Sequence, residues 1–253
     1  MRENLQFREI YKKISSQKGL GVNIRRSMCF YSPEQVLRAL TERRSVVGRW
    51  LSYVELKYVP PAHDLLLIYP CSTEKPYPRS RSYVQLFKTL SQLGRDRKRV
   101  HLVTISEPFG IIPEEFYRKW KNWYDCPGLF KWWCVKYGIR YSEAEANRCI
   151  QILGTCVGRF LGRSMEDGKY SRMLAFVRTY SSSLKSGRDH THRRILELAA
   201  AKSEIELDIL PPRALVSEIV RSRGRLAWDM YGVAHPMSQQ FLLRRVRNIL
   251  SRI

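Results

Sequence analysis

The sequence predicts an α/β fold: a layered domain with a mainly parallel sheet flanked by helices, continued by a basic helical C-terminal tail. Two short, continuous apolar runs, Asp64–Tyr69 and Val100–Ile105, have the length and composition of strands buried on both faces. A helical pattern over Gln85–Leu93 lies between them, and strand, helix, strand within about forty residues is the spacing of a βαβ unit. Further on, Ser142-x-x-Glu145 is a capping box that opens a helix with the apolar face Cys149, Ile150, Leu153, Val157 and Phe160. These signals divide the chain into a basic arm over 1–31, an α/β core over 32–212 and a basic helical segment over 213–253.

In order along the chain, the first thirty residues carry Ser15-Ser16 and Gly19–Gly21, read as a short helix followed by a flexible arm. Ser32-Pro33-Glu34 starts a helix, with Ser32 as N-cap, Pro33 in the first turn and Val36, Leu37 and Leu40 as the apolar face. Pro60-Pro61 punctuates the chain before the first strand. After Pro113 the sequence turns aromatic, with Phe116, Tyr117, Trp120, Trp123, Tyr124, Phe130, Trp132 and Trp133. Most of these rings are expected in the core, because they carry large apolar area. Met173–Tyr180 suggests a third strand, Ser181–His192 a Ser-rich basic loop, and Arg194–Lys202 a helix. Ile205–Leu210 reads as a strand stopped by Pro211-Pro212. Two basic amphipathic helices close the chain, the last pairing Leu242, Leu243, Val246 and Leu250 with Arg244, Arg245, Arg247 and Arg252.

The formal charge of +22 comes from 45 Lys and Arg against 23 Asp and Glu. Arg outnumbers Lys two to one, and guanidinium grips phosphate in bidentate fashion and stacks on bases, so the balance points to nucleic acid. A surface laced with ion pairs would show acids in proportion to bases, and this one does not. The six cysteines form no Cys-x-x-Cys pair and have no His at zinc-finger spacing, so neither metal nor cofactor is expected. There is no signal-peptide core and no apolar run long enough for a bilayer, which predicts a cytoplasmic protein with reduced thiols and no membrane partner. His190-x-His192 has the look of half a metal site; without neighbouring carboxylate or thiol in sequence it reads as a surface loop.

Directly after the first strand comes Pro70–Tyr83, with a thiol (Cys71), an amine (Lys75), hydroxyls and two guanidiniums (Arg79 and Arg81). Ligands of open α/β sheets sit beyond the carboxyl ends of the strands, so this loop has the position and the parts of an active site; a plain Pro-rich turn would look similar.

The same residues resemble a family signature. Pro70, Cys71, Lys75, Pro76, Tyr77 and Ser80 match Pro-Cys, three residues, Lys-Pro-Tyr, two residues, Ser, two residues, His, the motif of the archaeosine synthase alpha subunit; Tyr83 stands where the motif has His. Ile105–Pro113 is similar to the family's Ser-Glu-Pro segment after the second strand, and Trp123–Gly128 to its Tyr-Asp-containing stretch. Weaker similarity runs from Arg43 to Pro212. The RNA-binding PUA module and transglycosylase-like domains of longer members are not expected in this sequence.

The resemblance implies tRNA modification in archaeosine biosynthesis. An amine, free lysine or another donor, adds to the nitrile of a cyano-deazaguanine base in the tRNA D-loop, and a radical-SAM partner subunit then cleaves the adduct. In that transferase-type reaction Lys75 or Tyr77 would protonate the nitrile nitrogen and Glu107 would take a proton from the incoming amine. Cys71 could add first to give a thioimidate, a route ranked below direct attack. Ser72, Pro76, Ser80, Tyr83, Ser106, Gly110 and Asp125 are expected to line the substrate site. Arg79, Arg81, Arg95, Arg97, Lys98 and Arg99 are expected to cluster on RNA beside the motif loop, with Arg244, Arg245 and Arg247 along phosphates. Two further classes remain open at this stage: a non-catalytic tRNA-binding subunit, and another base-directed enzyme such as a glycosylase, for which no Asp or His water-activating motif is evident.

Overall fold

In the computed structural model, which describes residues 9–11, 18–177, 190–221 and 232–253, β1 (His63–Pro70) lies at the centre of a five-stranded sheet. The order is β3-β2-β1-β4-β5, with β2 at Val100–Ser106, β3 at Gly110–Pro113, β4 at Tyr170–Phe176 and β5 at Asp208–Leu210. β1 runs parallel to both β2 and β4, β4 is parallel to β5, and only β3 turns back antiparallel on β2. The mainly parallel sheet is thus as expected. Leu65 through Tyr69 are fully buried, as a strand covered on both faces requires.

The third strand sits earlier than the Met173–Tyr180 reading, at Tyr170–Phe176, and the fourth parallel strand is shorter than Ile205–Leu210. Residues 178–180 and the Ser-rich loop up to residue 189 lie outside the described residues. One strand, β3, has no clear sequence signal. β3 is a four-residue strand whose register is held by the hairpin at Glu107–Phe109, and the Trp50 indole donates to Ile111 O at 3.0 Å.

Helices cover the sheet in two groups. On one side are α1 (Pro33–Thr41), α2 (Val46–Leu56), the long α5 (Glu143–Glu166) and α6 (Thr191–Ser203), which pack on one another. The Ser32 hydroxyl caps α1 by accepting from Gln35 N, and Ser142 caps α5 by accepting from Glu145 N, both as the sequence predicts. The predicted face of α5, from Cys149 to Phe160, is buried throughout. α5 and α6 cross at very short range through glycines. A Cβ on Gly154 would stand 2.6 Å from Leu198, and one on Gly158 would stand 2.9 Å from Ala199 O. This crossing fixes where the first turn of α6 lies.

α3 (Arg81–Ser91) and α8 (Pro236–Leu250) form the second group; α8 packs on α3 and β1, and Gln239 Nε2 donates to the Tyr69 hydroxyl at 3.2 Å. Two further helices, α4 (Lys131–Lys136) and α7 (Arg213–Arg221), are short. The C-terminal helix is therefore no appended tail. Leu242, Leu243, Val246 and Leu250 are core residues, Arg245 pairs with Asp208, and Arg247 donates to Gln92 O at 2.8 Å. The arm reading also changes for residues 18–31. Ile24, Met28, Phe30 and Tyr31 are buried, and Phe30 N donates to Asp125 O at 2.8 Å. Most of the aromatic stretch is core, including Trp120, Trp123, Tyr124 and Trp133, whereas Trp132 is exposed. No helix among the described residues is long and apolar enough to cross a membrane.

Candidate active site at the carboxyl ends of β1 and β2

The chain leaves β1 at Pro70 and β2 at Ser106, and Cys71 N donates to Ile105 O at 3.0 Å, so the two strand ends emerge side by side. From β1 the chain passes to β2 on one side and later to β4 on the other. That reversal opens the crevice in which α/β sheets hold ligands. Cys71 and Glu107, the first residues after the two strands, face into it.

A third side chain meets them there. His192, in the first turn of α6, places Nε2 2.8 Å from Glu107 Oε2 and 3.8 Å from Cys71 Sγ. Glu107 is 2% exposed and His192 3%, so the pair is withdrawn from water. Burial alone would lower the imidazole pKa, but the Glu107 carboxylate and the neighbouring Cys71 together outweigh it and raise it. Glu107 Oε1 and His192 Nδ1 have no hydrogen-bond partner among the described residues. The surface-loop reading of His190-x-His192 is thus overturned: both rings are buried, and His190 Nδ1 caps α6 by accepting from His192 N at 3.3 Å. The ligand atoms of Cys71, Glu107 and His192 all lie within 4.8 Å of one another. Local spacing could not show this, because the three come from segments far apart in sequence.

Lys75 forms the opposite side of the loop and is 2% exposed. Its main chain is held on both sides, Lys75 N donating to Lys18 O at 2.8 Å and Leu20 N donating to Lys75 O at 2.6 Å. Its amine donates to Ser72 O and lies 5.2 Å from the centre of the Tyr77 ring and 4.9 Å from that of Tyr124. Burial lowers the lysine pKa from 10.5, because a desolvated ammonium loses hydration that the ring faces only partly replace. The peptide bonds Lys75–Pro76 and Glu107–Pro108 are both cis.

A chain of hydroxyls runs behind the amine. Tyr77 OH meets Tyr124 OH at 2.5 Å, Tyr124 OH meets Ser106 Oγ, and Ser106 Oγ donates to Glu107 O at 3.1 Å. Burial pushes both phenols well above their ordinary pKa, so they stay neutral hydrogen-bonding groups. Asp125 is buried beside them and accepts from Lys18 Nζ at 2.7 Å. The strand-like pairing of Cys29 with Asp125 holds it, and Gly128 lets the chain pass so closely that a Cβ would lie 2.8 Å from Phe30 O.

Three other expected site residues are packed among buried neighbours. Tyr83 is fully buried in α3, its hydroxyl shared with Thr104 and donated to Pro70 O at 3.2 Å. Ser80 is also fully buried and donates to Tyr77 O at 2.8 Å. Gly110 takes a φ of +64° at the end of the hairpin, where a Cβ would stand 3.3 Å from Leu51. Ser72 and Pro76 remain at the loop, half-buried.

The basic residues do not form the single cluster expected. Arg79 and Arg81 are exposed beside the motif loop, at the carboxyl end of β1. Arg95, Arg97, Lys98 and Arg99 precede β2 and so lie at the opposite end of the sheet, about 20 Å away by strand length. There Arg97 pairs with Glu114 and Arg99 with Asp64. Arg244 and Arg247 are exposed on α8.

Comparison with known proteins gives a consistent set of relatives. Residues 47–139, which include Cys71, Lys75, Tyr77, Glu107 and Asp125, match a family described as a domain of unknown function, DUF5591. The chain is similar to three proteins named archaeosine synthase subunit alpha. That of Thermoplasma acidophilum is 24% identical over 205 residues, 79% of this chain and 36% of the relative. That of Thermococcus kodakarensis is 31% identical over 47% of this chain and 19% of the relative. That of Methanosarcina acetivorans is 42% identical over 28% of this chain and 11% of the relative. The chain thus spans little more than a third of the longest-matched relative and less of the others.

Proposed function

We propose that this chain, a relative of the archaeosine synthase alpha subunits, modifies tRNA on the route to archaeosine by adding an amine to the nitrile of a cyano-deazaguanine base. The observation that carries the reading is the meeting of the half-buried motif residue Cys71 with the buried Lys75, Tyr77, Glu107 and Tyr124 at adjoining strand ends. A nitrile is a weak electrophile, and free lysine reaches the site as an ammonium. Addition therefore needs one group to relieve the amine of a proton and a proton delivered to the nitrile nitrogen. The desolvated Lys75 amine, its pKa lowered, is suited to both transfers. The new carbon–nitrogen bond forms as the nitrile becomes an amidine, and the proton removed from the attacking nitrogen ends on the former nitrile nitrogen.

Tyr77 and Tyr124 hold Lys75 through their ring faces, and their linked hydroxyls tie that wall to Ser106 at the end of β2. Cys71, Glu107 and His192 make the facing polar wall. Arg79 and Arg81 sit at the rim, where a splayed D-loop base would arrive with its phosphates. The amine donor is free lysine, and a radical-SAM partner takes the adduct onward.

Mass spectrometry of nitrile-bearing tRNA incubated with the protein and isotopically labelled lysine tests this reading. One lysine added per modified base is the expected result. Tight tRNA binding without any adduct would instead assign the chain a non-catalytic, tRNA-presenting role.

A further inference from the structure

We propose that Cys71, Glu107 and His192 form a binding site for a divalent metal ion of the zinc class, with three protein ligands and one open coordination position. The sulfur, the imidazole nitrogen and the carboxylate oxygen come from the end of β1, the end of β2 and the first turn of α6, and all lie within 4.8 Å of one another. Ligands of a tetrahedral zinc ion stand roughly 3.4–3.6 Å apart, given zinc–ligand bonds of about 2.0–2.3 Å. The observed separations are 3.8 Å for sulfur to nitrogen and 2.8 Å for nitrogen to oxygen. Against that spacing, the sulfur–nitrogen pair would close by a few tenths of an ångström and the nitrogen–oxygen pair would open by about half an ångström.

The alternative use of these three groups is a proton-wired nucleophile, in which one ring nitrogen faces the thiol and the other faces the acid. Here the same nitrogen, Nε2, faces both Cys71 and Glu107. Nδ1 has no partner among the described residues. The three side chains converge on a point instead of forming a line, and convergence is what a cation needs. Glu107 also keeps its second oxygen, Oε1, buried without a hydrogen-bond partner among the described residues. A buried carboxylate in that state is satisfied by a cation and costly otherwise.

The donor set narrows the ion. One thiolate, one imidazole and one carboxylate suit zinc better than magnesium or calcium, which prefer oxygen alone. Three protein ligands with a fourth position open is the composition of a catalytic zinc site, and a structural site would be closed by a fourth side chain. The site stands on this geometry alone. If the amine-addition reading also holds, an ion there acts as Lewis acid on the nitrile nitrogen, and Cys71 serves as ligand and not as nucleophile.

Zinc and cobalt(II) titrations of the full chain, stripped of metal beforehand, test the proposal. One equivalent of zinc should bind, and cobalt(II) should give a near-ultraviolet thiolate-to-metal absorption band. Cys71→Ser should abolish the band, and His192→Ala and Glu107→Gln should each weaken binding by more than about 100-fold, beyond what loss of an outer-shell partner costs. Cys156→Ala, on α5 where the thiol faces Leu51 O and none of the three ligands, should leave both readings unchanged. Circular dichroism identifies a variant that fails to fold, and Cys71→Ser, at a half-buried position, decides the matter if His192→Ala does so. Absence of stoichiometric binding, or binding and a band indifferent to Cys71→Ser, overturns the proposal. Metal binding with no lysine adduct would retain the site and refute only the reaction.

Discussion

His192 Nε2 lies 2.8 Å from Glu107 Oε2, although 85 residues separate the two and neither is visible to solvent. Their meeting depends on the α5–α6 crossing, which sets the position of the first turn of α6 over the end of β2. A buried contact between such distant segments ties the geometry of the site to the packing of two helices.

Gly158→Ala should therefore disturb the site from a distance. The new methyl would meet Ala199 O at 2.9 Å, a backbone atom that yields only if α6 moves. We expect a loss of about 1–3 kcal/mol, typical of overpacking, in denaturant unfolding. Any activity should fall further than that stability loss explains, because His192 moves with the helix. Unchanged stability and activity would show that the crossing has slack.

Lys75 links the site to pH. Burial lowers its pKa in the folded chain from 10.5, so between the folded value and 10.5 the unfolded chain holds more protons. Stability from this group accordingly rises with pH across that window. Lys75→Met, similar in shape and without charge, should remove that rise. The difference between the two unfolding profiles, measured as pH increases toward 10.5, checks it; parallel profiles would mean that the amine is solvated.

Tyr83→Phe separates scaffold from substrate contact at the position where the family motif has His. The lost hydroxyl leaves Pro70 O without its donor, while Thr104 keeps Tyr117 at 2.6 Å. Stability should drop by about 1 kcal/mol, in line with a buried hydrogen bond. The rate of adduct formation should be unchanged. A selective loss of rate without loss of stability would place Tyr83 in the reaction.

Truncation before α8 should unfold the protein, since it removes Leu242, Leu243, Val246 and Leu250 from the core; loss of buried leucines costs about 2–5 kcal/mol each. The double variant Arg244→Gln, Arg247→Gln should fold normally and, if α8 lies along tRNA, flatten the salt dependence of binding. A truncated chain that still unfolds cooperatively would contradict the packing described for α8.

The sequence makes some of this plain and hides the rest for physical reasons. β1 and β2 announce themselves because strands buried on both faces must be apolar throughout, and α5 because Ser142 and Glu145 cap it. α2 is obscured by Val46, Val47 and Gly48, poor helix formers. Gly48 is needed there because a Cβ would lie 2.4 Å from Glu42 O. β3 is too short to carry a period. Cys71, Lys75, Tyr77 and Glu107 are legible through their motif and their places at strand ends. His192 is not. Its signal was a histidine just ahead of an apolar helix face formed by Ile195, Leu196 and Ala199, and only the tertiary crossing turns that into proximity to Glu107. Likewise, the arginines before β2 look adjacent to the motif loop in sequence, and the parallel sheet carries them to its far end.

On the proposed reading, the buried Lys75 site adds an amine to a tRNA-bound nitrile. Its most direct test is the single-turnover rate of labelled-lysine adduct formation, compared between the native chain and folded Lys75→Met. An adduct is expected with the native chain, formed at least about 100-fold more slowly with the variant, the scale of a lost proton-transfer group. Equal rates in the two proteins would contradict it.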